Sequence, residues 1–215
     1  MRTFVGKSLI WVVTLCVATV GSWASAQNLF DNPGFELPIT MDGAPFDDNW
    51  EGFTGGAPLS LNSSTMPRSG AQHLELFINN LGNSFAGAFQ DVPNLVPGQV
   101  ATFSGWHKLA SGASGGSEVR IEWRNSISNT EVTRTMNLVP PTGPDYTEFS
   151  LTATVPAGAD LARTVYAIQS FGGVLTQQVF VDDASFTVVP EPTSLALGAL
   201  AGMVLLVCRR RLVAN

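Results

Sequence analysis

The chain has 215 residues, 45% of them hydrophobic, with 17 acidic against 11 basic side chains and a net charge of −6. That balance excludes the broad basic surface needed to hold nucleic acid or anionic lipid headgroups. The two cysteines, Cys16 and Cys208, stand near the two ends, so the stretch between them carries neither a disulfide nor a cysteine-held metal.

The first element is an export signal. Arg2 and Lys7 make a basic start, Leu9 to Val20 an apolar run, and Ala24-Ser25-Ala26 a small-residue site. Residues 1–26 therefore read as a signal peptide, with Ala24 and Ala26 flanking the cleavage position. Residues 27–189 have the length of one domain that can bury its own core. They hold six bases against sixteen acids, a net charge of −10, more acidic than the whole chain.

Within this domain the texture is all-β. Residues 37–65 carry no clear period and hold Asp42, Asp47, Asp48, Trp50 and Phe53, so they read as irregular. Strands are expected at 74–78, 85–91, 100–109, 118–125, 130–137, 147–155, 164–170 and 178–188. Val96-Pro97-Gly98, the Gly/Ser stretch 111–117, the prolines from 140 to 144 and Pro156-Ala157-Gly158 separate them. Eight or more short strands in this length predict a two-sheet antiparallel β-sandwich of the jelly-roll kind.

Strand parity sorts the side chains. From Ala101 to Leu109, one face collects Phe103 and His107 and the other Trp106 and Lys108. From Val119 to Arg124, Val119, Ile121 and Trp123 oppose Arg120, Glu122 and Arg124. With the two strands as neighbours, Phe103 and Trp123 enter the core. Trp106 then shares a polar outer face with Lys108, Arg120, Glu122 and Arg124. A ring beside fixed charged donors and acceptors suits a sugar, whose C–H face covers the ring while its hydroxyls meet the polar groups. Trp50 caps the sandwich or lines a cleft. The histidines, His73 and His107, make no catalytic constellation with a serine or a metal-ligating cluster, and the domain reads as a non-enzyme.

The chain ends on Pro190-Glu191-Pro192, sixteen uncharged residues (193–208) and Arg209-Arg210-Arg211. As a helix those sixteen residues reach roughly 24 Å, short of the ~30 Å hydrocarbon layer. Their five leucines and two valines supply only about −2 to −4 kcal/mol of insertion energy. The expected transmembrane helix is thus a marginal anchor, with the arginines as its cytoplasmic stop.

This ending resembles the PEP-CTERM sorting tail, in which a Pro-Glu-Pro motif, an apolar helix and a basic cluster follow one another. The resemblance implies residues 190–215 as a sorting signal read by a membrane enzyme, exosortase. It also implies a bacterial protein of the cell surface or extracellular matrix, its membrane anchoring transient or permanent.

The middle of the chain has a second resemblance. NPGFE (32–36), RSGAQHLEL (68–76), LVPGQVATFSGWHK (95–108) and VFVDDASF (179–186) follow in the order seen in carbohydrate-binding modules with a galactose-binding-like jelly roll. The resemblance implies noncovalent binding of extracellular polysaccharide. It also implies a structural Ca2+ held by Glu36 and Asp182, with Asp183 as the other candidate. Hard oxygen ligands in an acidic extracellular domain suit that ion. A structural or adhesive matrix protein on the same fold is the first rival reading, and a glycoside hydrolase the second.

Overall fold

The computed structural model describes residues 26–189 apart from 47–48, 57–58 and 113–116. The signal peptide up to Ala24, the Pro190-Glu191-Pro192 motif, the expected helix 193–208 and Arg209 to Arg211 lie outside the described residues. Among the described residues there is no helix long and apolar enough to cross a membrane.

Among the described residues ten strands form the fold: β1 (Glu51–Gly55), β2 (Leu59–Ser63), β3 (His73–Ile78), β4 (Phe85–Val92), β5 (Val100–Gly112), β6 (Ser117–Asn125), β7 (Thr130–Arg134), β8 (Thr147–Thr154), β9 (Leu161–Gln169) and β10 (Gln177–Val189). One sheet runs β1-β4-β9-β6-β7 and the other β2-β3-β10-β5-β8, with every named pairing antiparallel. The expected sandwich is present, with the eight expected strands. Two more, β1 and β2, occupy the segment read as irregular.

The core lies between the sheets. Leu74, Leu76, Phe103, Phe149, Val179, Val181 and Phe186 come from one side, and Ala88, Val119, Ile121, Trp123, Tyr166 and Ile168 from the other. Phe103 and Trp123 are buried, as parity required. Trp50 is buried as well, and its ring sits between Phe30 and Phe35 at centroid distances of 4.9 and 4.8 Å. Its indole N–H donates to the Asn32 carbonyl at 3.1 Å. The NPGFE segment is a turn rather than a strand, since Asn32 and Phe35 both take the left-handed conformation and the Phe35 N–H donates back to the Asn32 carbonyl.

One polar pair bridges the core. The Tyr166 hydroxyl and His107 Nδ1 in the facing sheet share a hydrogen bond of 2.6 Å, and burial pushes the phenol above its ordinary range. Burial also lowers the His107 pKa to about 4. The unfolded chain protonates this residue near 6.5, so His107 costs stability as pH falls from ~6.5 to ~4 and no further below that. His107→Gln, whose amide keeps a hydrogen-bond partner for Tyr166 without titrating, should flatten that part of the curve. The check is a set of urea melts of both proteins across the window.

Candidate functional site

Consecutive strands β5 and β6 lie in opposite sheets. Their outward faces therefore point away from each other, and the composite face expected for Trp106, Lys108, Arg120, Glu122 and Arg124 does not form. Trp106 and Lys108 stand on the outside of the sheet holding β5, while Arg120, Glu122 and Arg124 stand on the outside of the sheet holding β6. Parity correctly assigned each residue to an outward face; it could not tell that the faces belong to different sheets.

The two outer faces differ in what covers them. The segment between β2 and β3 folds across the Trp106 side. The backbone N–H groups of Arg68 and Ser69 donate to Asp182 Oδ2 at 2.8 and 3.1 Å. The Arg68 guanidinium then lies 3.8 Å from the Trp106 ring centroid, a cation–π contact, and pairs with Asp183. Tyr146 donates its hydroxyl to the Met66 carbonyl at 3.0 Å. Beneath this cover His73 is fully buried and packs against Phe180, the ring centroids 4.2 Å apart and the planes tilted by 53°. A ring face held by an arginine is not free for a sugar.

Glu36, Asp182 and Asp183 separate into two roles. Asp182 has no exposed surface, and burial raises its pKa. Besides the two N–H groups of the covering segment it accepts the Asp183 N–H on Oδ1 at 2.8 Å. Glu36 Oε1 accepts from the Ala71 N–H at 2.9 Å and from the Gln72 N–H. A β-carbon built on Gly34 would lie 3.8 Å from Glu36 Oε1 and 4.0 Å from Asp182 Oδ1, so both carboxylates border this glycine. Gly70 is left-handed, and any side chain there would collide with the Glu36 carboxylate. Asp183 instead pairs with Arg68 and accepts the Ser69 hydroxyl at 2.6 Å.

Among the described residues the β6 side is open over part of its length. Register places Phe53, Gly87, Ala167 and Glu118 in one row across β1, β4, β9 and β6. Gly55, Phe85 and Gln169 form the row beside it. The glycines matter here, because Phe53 lies over Gly87 and Phe85 over Gly55 so closely that a β-carbon would strike each ring. A groove of about 230 Å3 results, with Phe53, Phe85 and Phe171 on one side and Glu118, Arg120 and Gln169 on the other. Phe171 is 56% exposed. Its ring lies 6.4 Å from Phe85, which is 6.0 Å from Phe53.

Charge on this face is paired internally. Arg120 Nε donates to Glu122 at 2.8 Å and its Nη1 reaches Glu118 at 3.4 Å. Arg124 and Arg134 approach the same Glu122 at 3.9 and 3.8 Å, Arg134 also binds Glu131, and Arg163 pairs with Asp91 at 2.8 Å. Beyond the groove Phe46 packs on Phe89 at 5.0 Å and closes the far part of the face. Three of the groove's aromatic and polar members, Phe85, Phe171 and Gln169, carried no signal by parity alone; the two glycines opposite the rings were the available clue.

No protein-family profile matches the chain, and no curated protein matches it. Solved structures do. The xylan-binding domain CBM22-1 from Paenibacillus barcinonensis is 14% identical with a TM-score of 0.54, covering 78% of this chain and 98% of that one. A family 16 carbohydrate-binding module is 19% identical at 0.50, covering 74% and 99%. The enzymatically active domain of bacteriophage CBA120 tailspike protein 4 is 15% identical at 0.59; the match covers 75% of this chain and 21% of that one, about a fifth of its length. At these identities the likeness is one of fold alone, a two-sheet β-sandwich.

Glu122 holds three arginines while its own side chain is 9% exposed. Glu122→Gln removes the shared anion and leaves like charges facing one another. It should cost about 1.5–3 kcal/mol, the range for a lost hydrogen bond to a charged group. Chemical denaturation of the variant beside the parent checks this.

Proposed function

We propose that this chain is an exported surface or matrix protein whose β-sandwich binds polysaccharide noncovalently through the groove on the β6 side. The observation that carries the reading is a row of three phenylalanine rings facing a glutamate, an arginine and a glutamine across a shallow open groove. Rings cover the apolar face of a pyranose and the amide and charged groups address its hydroxyls. The fold shared with carbohydrate-binding modules supports it. Because each arginine on that face already has a carboxylate partner and the domain is acidic, the favoured chain is an uncharged one.

In this reading Arg120 keeps its sequence-derived role as a sugar contact, now with Glu118 and Gln169. Glu122 and Arg124 extend the polar wall and hold Arg120 in place. Trp106 and Lys108 belong to the covered face and contribute to stability. The sorting tail, the exosortase that would read it and the membrane helix at 193–208 remain part of the proposal, on the strength of the Pro-Glu-Pro, apolar and arginine sequence.

A structural Ca2+ belongs here too. Glu36 and Asp182 fit it in part: two carboxylates border Gly34, one of them on a fully buried aspartate. Among the described residues no third acidic, histidine or cysteine side chain joins them, so backbone carbonyls and water would complete the shell. The ion would supply positive charge beside a carboxylate withdrawn from water.

Affinity electrophoresis of residues 27–189 through gels of neutral polysaccharides tests the site. Phe85→Ala and Phe171→Ala should each weaken retention roughly three- to tenfold, the value of one aromatic contact. Trp106→Ala, verified as folded, should migrate like the parent. Free migration of the parent through every gel would leave the structural or adhesive role as the better account, and retention lost only with Trp106 would move the site to the other sheet. For the cation, millimolar Ca2+ should raise the melting temperature of the parent and leave that of Asp182→Asn unchanged; equal shifts in both would remove Asp182 from the ligand set.

A further inference from the structure

The groove on the β6 side is open at one end and closed at the other. Its rows step along the strands two residues at a time, roughly 6.7 Å. Gly55, Phe85 and Gln169 make the outermost row, and Phe53, Gly87, Ala167 and Glu118 the next. Past the outermost row Phe171 projects from a fixed base. There the Ser84 N–H donates to Ser170 Oγ and the Ser170 N–H to the Ser84 carbonyl, both at 2.9 Å. With Phe171 more than half exposed, this end leads into solvent.

The third row has the residues to continue the groove, and it is filled. Register lines up Glu51, Phe89, Val165 and Arg120, which repeat the ring, apolar floor and polar wall of the row before. Among the described residues Phe46 occupies this position. Its ring packs on Phe89 with centroids 5.0 Å apart and planes at 79°, and Phe89 and Val165 are left 8 and 2% exposed. The Arg163 guanidinium lies 4.7 Å from the Phe46 ring and 4.1 Å from that of Phe89, and it is itself held by two bonds of 2.8 Å to Asp91. At the base of the segment Glu51 accepts the Thr40 hydroxyl at 2.7 Å and the Gly43 N–H at 2.9 Å. Phe53 is thus the last ring of the file that a ligand can cover. Leaving sideways means crossing the phenylalanines of β1 and β4 or the charged side chains of β6.

The groove's volume of about 230 Å3 is also below the roughly 300–1,000 Å3 of pockets that enclose a drug-sized ligand, so it holds a short stretch of sugar. A unit inside a polysaccharide carries a glycosidic bond on each side and needs an exit at both ends of its site. A unit at the end of a chain or branch needs only one. We infer that the groove takes the end of an uncharged polysaccharide chain or branch, with Phe46 as the stop that excludes chain interiors. The inference rests on the sugar-binding reading of this groove. The terminal hydroxyl, standing where the next unit would be joined, meets the row of Arg120. Glu122 and Glu118 engage Nε and Nη1 of that guanidinium, and Nη2 is left to donate.

Residues 27–189, whose two sheets enclose their own core, are titrated calorimetrically with linear xylo-, malto- and galacto-oligosaccharides of graded length. The expected result, for a series that binds, is one domain per chain at every length, with the affinity per chain level once the groove is filled. Bound domains that multiply with chain length, in a series whose binding Phe85→Ala weakens, overturn the inference while the sugar site stands. Phe46→Ala, verified as folded, should let several domains sit along one long chain. A folded variant that keeps the single domain per chain removes Phe46 as the stop and overturns the inference too. Where that variant does not fold, the stoichiometry of the parent decides alone. Binding undiminished in Phe85→Ala, or no binding to any series, takes down the groove reading and the inference with it.

Discussion

Asp182 is the group on which the rest of the arrangement depends. It sits where β10 breaks register with β5, between Asp182 and Ser185, and its carboxylate has no contact with solvent. A buried anion of this kind persists only when hydrogen-bond donors surround it. Three backbone N–H groups do so, two of them from the segment between β2 and β3. The demand of one carboxylate for donors thus draws that segment across the sheet. Its next consequence is the Arg68 guanidinium over Trp106 and the closure of that face. The face that stays open is the other one.

On the open face, backbone shape does what side-chain charge cannot. Gly55 and Gly87 let Phe85 and Phe53 come close over the backbone of the sheet, the two rings tilted 48° to each other. The charged half of the groove is held just as firmly, because Arg120 is gripped by Glu118 and Glu122. A ligand meeting this groove finds groups already oriented, so little ordering cost remains to be met on binding. The same mutual pairing lowers the field the face projects, which separates it from sites built to attract anionic chains.

Much of the fold could be read from the sequence, and the missing parts have specific causes. The eight longer strands alternate clearly enough to be placed within a few residues. β1 (EGFTG) and β2 (LSLNS) are five residues each, lie at sheet edges and contain glycine, asparagine and serine, so no period identifies them. The inward placement of Phe103, His107 and Trp123 follows from alternation within single strands. Which sheet a strand joins does not, and the Gly/Ser stretch after β5 is as compatible with a hairpin as with a crossing between sheets. That one ambiguity separated Trp106 from Arg120. The groove needed contacts between Phe53, Phe85 and Phe171, which come from three different parts of the chain and meet only through strand register.

The open groove and the end from which the chain leaves β10 lie at opposite ends of the same strands. Phe85 begins β4, Gln169 ends β9 and Phe171 follows it, whereas Val92, Leu161 and Val189 lie at the other end of β4, β9 and β10. At about 3.3 Å for each residue of a strand, the eight residues of β4 put roughly 25 Å between them. On the proposed anchor reading of residues 193–208, a binding groove meets polymer most readily at the end far from the tether. The fold places the aromatic row there. A sandwich anchored in that way would present its phenylalanines outward, about one strand's length from the point where the chain leaves β10.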